Sequence, residues 1–173
     1  MKAFFLIFIL LTFSACKTKT ESITHHPVKL MKTECPKEGE CSILLLENKQ
    51  LVLKTEETTG NIYPEVTNGS SLVVVFSYSE NAPKGIVDGN YTETIHFEIP
   101  KEFSELNKKN YELADVQLLY GKQCFCEDAG YYKVTKGKLI ANKKDANIYL
   151  NLTFQIDGIN SKVYHIIETI ELN

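Results

Sequence analysis

The chain contains no arginine and no tryptophan; all 19 of its basic residues are lysines, set against 22 acidic ones. The formal charge of -3 leaves no basic footprint for a nucleic-acid backbone, and without arginine there is no planar fork for bidentate phosphate recognition. No nucleic-acid partner is therefore expected. Long apolar runs are also missing. The longest, Ala3 to Phe13, has eleven residues, about half of what a bilayer-spanning helix needs. A 43% hydrophobic content excludes a disordered chain, and the 173 residues suit one domain. Catalytic signatures are absent too: there is no Gly-x-Ser-x-Gly elbow, no His-Glu-x-x-His, no P-loop and no Gly-x-Gly-x-x-Gly. The five aspartates lack calcium-loop spacing, and Glu56-Glu57 reads as a solvated loop rather than an acid/base pair. His96 and His165 fall on polar strand faces, where surface positions are expected. Neither an enzyme nor a bound cofactor or metal is expected.

What is present begins at the N-terminus. Met1-Lys2 followed by the Ala3–Phe13 run has the form of a secretory signal, residues 1–15, which takes no part in the fold. Phe13-Ser14-Ala15-Cys16 then places two small residues directly before a cysteine, and this resembles the lipobox of bacterial lipoproteins. The resemblance implies cleavage before Cys16 and lipidation of its sulfur and amine. Phe13 departs from the Leu, Val or Ile usual there, but aromatic residues occur at this position in Bacteroidota-type lipoproteins. The Lys-, Asn- and Ile-rich composition without arginine is similar to theirs. Each buried acyl CH₂ is worth about 0.8 kcal/mol, so two or three chains hold a domain on a membrane stably. Lys17 after the anchor, with no acidic cluster in Lys17-Thr18-Lys19-Thr20-Glu21-Ser22, implies the outer membrane and its periplasmic face. The expected address is the bacterial cell envelope.

Residues 16–27 read as the lipidated cysteine and a flexible polar tether, in which His25-His26 supplies only two ligands of a metal site. From residue 28 to 173 the period is two. Ile148, Leu150, Leu152, Phe154 and Ile156 alternate with polar neighbours, as do Ile95, Phe97 and Ile99 with Thr94, His96 and Glu98. Leu72–Phe76, apolar on both faces, suits a central strand. Ser42–Leu46 and Gln50–Lys54 read as a hairpin around Glu47-Asn48-Lys49, and Glu102–Lys108 is the one helical candidate. Turn signals fall at Asn68-Gly69, Asp88-Gly89, Asp128–Gly130, Gly137 and Asp157-Gly158, and the last four strands read as a meander over roughly 113–126, 131–141, 146–157 and 162–172. About eight strands in this length predict a single all-β domain, a sandwich or a barrel. The terminal Gly-Lys-Leu-Ile and Ile-Tyr-Leu-Asn-Leu-Thr-Phe segments resemble the C-terminal meander of small all-β Bacteroidota lipoproteins.

Beyond Cys16 there remain Cys35, Cys41, Cys124 and Cys126, an even number that suits a disulfide framework in an exported domain. Local pairing closes the Cys35–Cys41 loop but needs the chain to break its extension at Cys124-Phe125-Cys126, since i and i+2 on a strand stand too far apart. Cross-bridging of the two N-terminal cysteines to this segment is the favoured expectation. The same four residues also suit a zinc or copper site or a labile redox disulfide. Tyr120, Phe125, Tyr131 and Tyr132 concentrate aromatics around the segment, as core pairs or as a ligand platform. The sequons at Asn68, Asn90 and Asn151 carry little meaning in a bacterial envelope. Two functional classes follow: a non-enzymatic binding or structural module contacting an envelope protein or glycan, and a copper or thiol-redox protein using Cys124 and Cys126. A hydrolase without a readable motif ranks third.

Overall fold

The computed structural model describes residues 35–82, 84–86 and 88–172. Cys16, the signal segment, the tether with His25-His26 and residues 28–34 lie outside the described residues. Among the described residues, nine strands form two antiparallel sheets: β1 (Glu40–Thr55), β2 (Ile62–Glu80), β3 (Tyr91–Ile99), β4 (Glu105–Lys109), β5 (Leu119–Gln123), β6 (Gly130–Lys133), β7 (Lys136–Lys144), β8 (Asn147–Gln155) and β9 (His165–Glu171). One sheet runs β1-β2-β3-β5-β6 and the other β4-β7-β8-β9, so the domain is an all-β sandwich and not a closed barrel. No helix among the described residues is long and apolar enough to cross a membrane.

The period-two alternation becomes the core directly. Ile43, Phe76, Ile95 and Tyr120 lie side by side across the first sheet, each opposite the next. They share one buried cluster with Leu139, Ile148, Leu150, Leu152, Phe154 and Ile166 of the second. The Tyr120 and Phe154 rings meet across the gap at 6.0 Å between centroids. β3 and β8 take the predicted places, and Leu72–Val74 is buried on both faces as expected.

Several expectations fail for one reason. The segment 42–54 is not a hairpin: β1 runs through it unbroken, with Asn48 in the left-handed region at φ 55° as a bulge. The matching irregularity in β2 is Asn68-Gly69, a predicted turn, where a Cβ on Gly69 would stand 2.7 Å from the Gln50 Cβ. The helical candidate is instead an approach to β4, with Leu106 opposite Ala141, followed by a 3₁₀ helix at Asn110–Val116. The apolar pair Phe103 and Leu106 fits a helix locally, but the open edge of β7 offers a ladder of backbone hydrogen bonds. The four-strand meander is cut at Val134-Thr135, where the chain leaves β6 in one sheet and enters β7 in the other. Gly137 makes this crossing feasible: its φ is 148°, and a Cβ there would lie 2.2 Å from the Thr153 carbonyl oxygen. Only β7-β8-β9 remain a meander. In each case a long-range pairing outweighed a local signal.

Candidate functional site

One end of the sandwich gathers most of the chemistry. The Cys35–Cys41 loop, the β2–β3 loop, the β5–β6 turn and residues 160–163 converge there. Strand alternation predicts apolar side chains pointing inward, yet Glu93 and Lys122 take inward positions in line with Ile95 and Tyr120. Glu93 is fully buried and Lys122 is 7% exposed. Both carboxylate oxygens of Glu93 are engaged: Oε1 accepts from the Lys162 backbone N–H at 2.7 Å and from the Tyr91 hydroxyl, and Oε2 accepts from the Val163 N–H at 2.9 Å. Lys122 Nζ donates to Asp128 at 2.7 Å and to the Asn160 carbonyl at 3.2 Å. The Lys162 ammonium donates to Glu80, which also accepts from the Tyr78 hydroxyl, and lies 4.7 Å from the Tyr91 ring centre.

The electrostatics follow from this packing. Burial, then hydrogen bonds and the negative field of Glu80, raises the Tyr78 hydroxyl above the tyrosine range; burial and Glu93 do the same to Tyr91 and Tyr120. Lys162 first, then Tyr78, holds the Glu80 carboxyl low, and Lys122 does so for Asp128. Tyr78 and Tyr91 stay protonated and donate, to Glu80 and Glu93, and the lowered Glu80 and Asp128 carboxyls stay ionised and accept from lysines. The cluster clamps residues 160–163 onto the first sheet. It provides no general base with an accessible nucleophile beside it.

The four cysteines pair locally, contrary to the favoured cross-bridging. Cys35 joins Cys41 with Cα atoms 5.8 Å apart, and Cys124 joins Cys126 with Cα atoms 5.3 Å apart. The register explains why. Cys41 lies opposite Tyr78, Tyr78 opposite Glu93 and Glu93 opposite Lys122. At about 4.8 Å per strand, that row separates Cys41 from the β5 end by roughly 14 Å, twice the reach of a disulfide. β5 ends at Gln123, and the chain turns at once, with Ala129 N–H donating to the Cys126 carbonyl. Phe125, between the bonded cysteines, is 96% exposed. The two Sγ atoms and an Asp128 carboxylate oxygen lie within 4.8 Å of one another.

A second feature lies on the outer side of the first sheet. Beyond the Asn48 bulge the paired ends of β1 and β2 form an arm. It is tied down by Leu51 N–H donating to Glu98 at 2.7 Å and by the Gln117 side chain donating to the Leu51 carbonyl at 2.8 Å. Between this arm, the 3₁₀ helix and the β6–β7 crossing runs a groove of about 600 Å³. Its lining is mixed: Leu51, Val52, Leu53, Ala114, Leu118 and Val134 supply apolar surface, and Gln50, Glu98, Gln117, Lys133 and Thr135 supply polar groups.

The predicted aromatics separate. Tyr120 and Tyr132 pack at 6.4 Å in the core, whereas Tyr131 meets the edge of His96 on the outer face. His96 is half-buried rather than a surface residue, and burial lowers its pKa to about 4. His165 is exposed, beside Asn151 at 3.2 Å, and Glu56 and Glu57 lie in an exposed turn as expected. No protein family profile, curated protein or solved structure matches this chain. Reasoning from the sequence alone missed Glu93 and Lys122, although their parity with Ile95 and Tyr120 is legible. The groove has no sequence signal, because its walls come from segments far apart in the chain.

Proposed function

We propose that this chain is a lipid-anchored protein of the bacterial cell envelope, held through Cys16 on the periplasmic face of the outer membrane. In this reading its β-sandwich binds a protein segment or glycan and catalyses nothing. The groove beside the β1–β2 arm carries the proposal: its volume is that of a ligand site, and its mixed lining offers both apolar contact and hydrogen-bonding groups to a peptide or sugar. The buried Glu93 and Lys122 are committed to holding loops, which also favours a binding role. Two measurements test it. Labelled palmitate should enter the protein and be lost in Cys16→Ala, with the variant released from membranes; unlabelled wild-type protein refutes the anchor. Screening the purified protein against peptide and glycan arrays should return ligands whose binding Leu53→Asp abolishes while the circular dichroism spectrum is unchanged. Equal binding by that variant refutes the groove.

The second reading, copper or thiol chemistry, draws on the Cys124, Cys126 and Asp128 cluster at an exposed turn. Reduction by an external dithiol would give two thiols, and Cu(I) is the soft ion such thiols favour. Thiol mapping of protein taken from the envelope decides it: two intact bonds after mild reductant argue against it, and free thiols at 124 and 126 argue for it.

A further inference from the structure

We infer that the loop end of the sandwich is a membrane-docking surface, with the Phe125 ring seated in the interface of the bilayer that carries the lipid anchor. The inference rests on the proposed lipidation of Cys16. Three observations converge on this end. The chain enters the described domain at Cys35, which its bond to Cys41 pins beside the start of β1, so the 18 residues between Cys16 and Cys35 lead away from here. Phe125 projects from the β5–β6 turn at the same end at 96% exposure, and Ile86 from the β2–β3 loop at 55%. The Cys124–Cys126 bond closes a three-residue ring around Phe125. The ring restricts the backbone that carries the phenyl group, so less backbone ordering entropy is lost when it docks.

The charge at this end selects the type of surface. Exposed Lys37, Lys84 and Lys162 are outnumbered by Glu38, Glu40, Asp88 and Glu127, and Lys162 is already paired with Glu80. Such an end has no electrostatic pull toward anionic headgroups, so the surface it fits is zwitterionic, with apolar insertion rather than charge as the driving force. Docking here leaves the groove, on the outer side of the first sheet, open to a ligand.

The absence of tryptophan gives a direct test. Full-length Phe125→Trp, purified from membranes with its anchor, is reconstituted into phosphatidylethanolamine–phosphatidylcholine vesicles with and without brominated acyl chains. Tyr149→Trp, in β8 and 40% exposed, is the control. Both variants should float with the vesicles, but only the Phe125→Trp indole should shift to the blue and be quenched by bromine. In a parallel Ile86→Trp protein, adding Phe125→Asp should lower the docked-to-free ratio about tenfold. Raising the anionic lipid content should weaken the signal. Flotation with a water-exposed, unquenched indole overturns docking while leaving the anchor intact. Failure to float, with no acyl mass on the N-terminal peptide, overturns the anchor and docking together. An indole shielded in native membranes but exposed in pure lipid assigns this end to a protein partner and overturns the bilayer as its occupant.

Discussion

Replacing Glu93 by glutamine tests the most demanding part of the structure. The side chain is fully buried, and its two oxygens accept from three donors: the Lys162 and Val163 backbone N–H groups and the Tyr91 hydroxyl. Glutamine keeps the size but carries one oxygen and one NH₂. Whichever way the amide is turned, its NH₂ confronts a backbone N–H at 162 or at 163. That leaves one buried donor unsatisfied, at about 1–3 kcal/mol, and weakens the other bond by removing the charge from its acceptor, at roughly 1 kcal/mol more. Lys162 keeps its ion pair with Glu80, so no orphaned ammonium adds to the loss. The expected destabilisation is about 3 kcal/mol in denaturant titration, a large part of the roughly 5–15 kcal/mol typical of a whole domain. Glu65→Gln, which removes only an exposed pair with Lys54, should cost less than about 0.5 kcal/mol. Hydrogen exchange supplies the local readout, since the amides of Lys162 and Val163 should lose protection before those of β8. A Glu93→Gln protein within about 1 kcal/mol of wild type, or one with unchanged protection at 162 and 163, refutes the clamp.

Two further predictions concern the outer face and the crossing between sheets. Burial lowers the His96 pKa from 6.5 to about 4, so the folded state resists its protonation; stability should be fully present above pH 6.5 and fall as pH drops toward 4. Each tenfold weakening of proton binding is worth about 1.4 kcal/mol, so the loss is at most about 3.5 kcal/mol, and smaller for a half-buried ring. Denaturation midpoints of His96→Gln should accordingly show a flatter slope over that window. Gly137→Ala must place a methyl group against the Thr153 carbonyl at a φ of 148° that L-residues avoid. A loss of about 2–3 kcal/mol is expected, with thermal unfolding as the check, and a neutral result would mean that the β6–β7 crossing relaxes freely.

Much of the sheet content was legible because half-buried strands write their faces into the chain. Ile95-Phe97-Ile99 and Ile148 through Phe154 announced β3 and β8, and the same parity placed Glu93 inside once Ile95 was known to be core. The even cysteine count pointed to disulfides, but the choice among three connectivities depended on how many strands separate Cys41 from Cys124. Glu102–Lys108 illustrates the limit. Its apolar spacing suited a helix, and only the unpaired edge of β7 drew Glu105–Lys109 into a sheet.

The sequence by itself determined the all-β character, because alternation is a local property of each segment, and it supplied the residues on which the expected anchor at Cys16 rests. Tertiary structure alone decided which strands pair, that β1 bends through Asn48 instead of turning back, and that the arm and the β6–β7 crossing enclose a groove. Those outcomes depend on hydrogen-bond edges and packing surfaces contributed by residues tens of positions apart. Local periodicity carries no information about which distant edge a strand will meet.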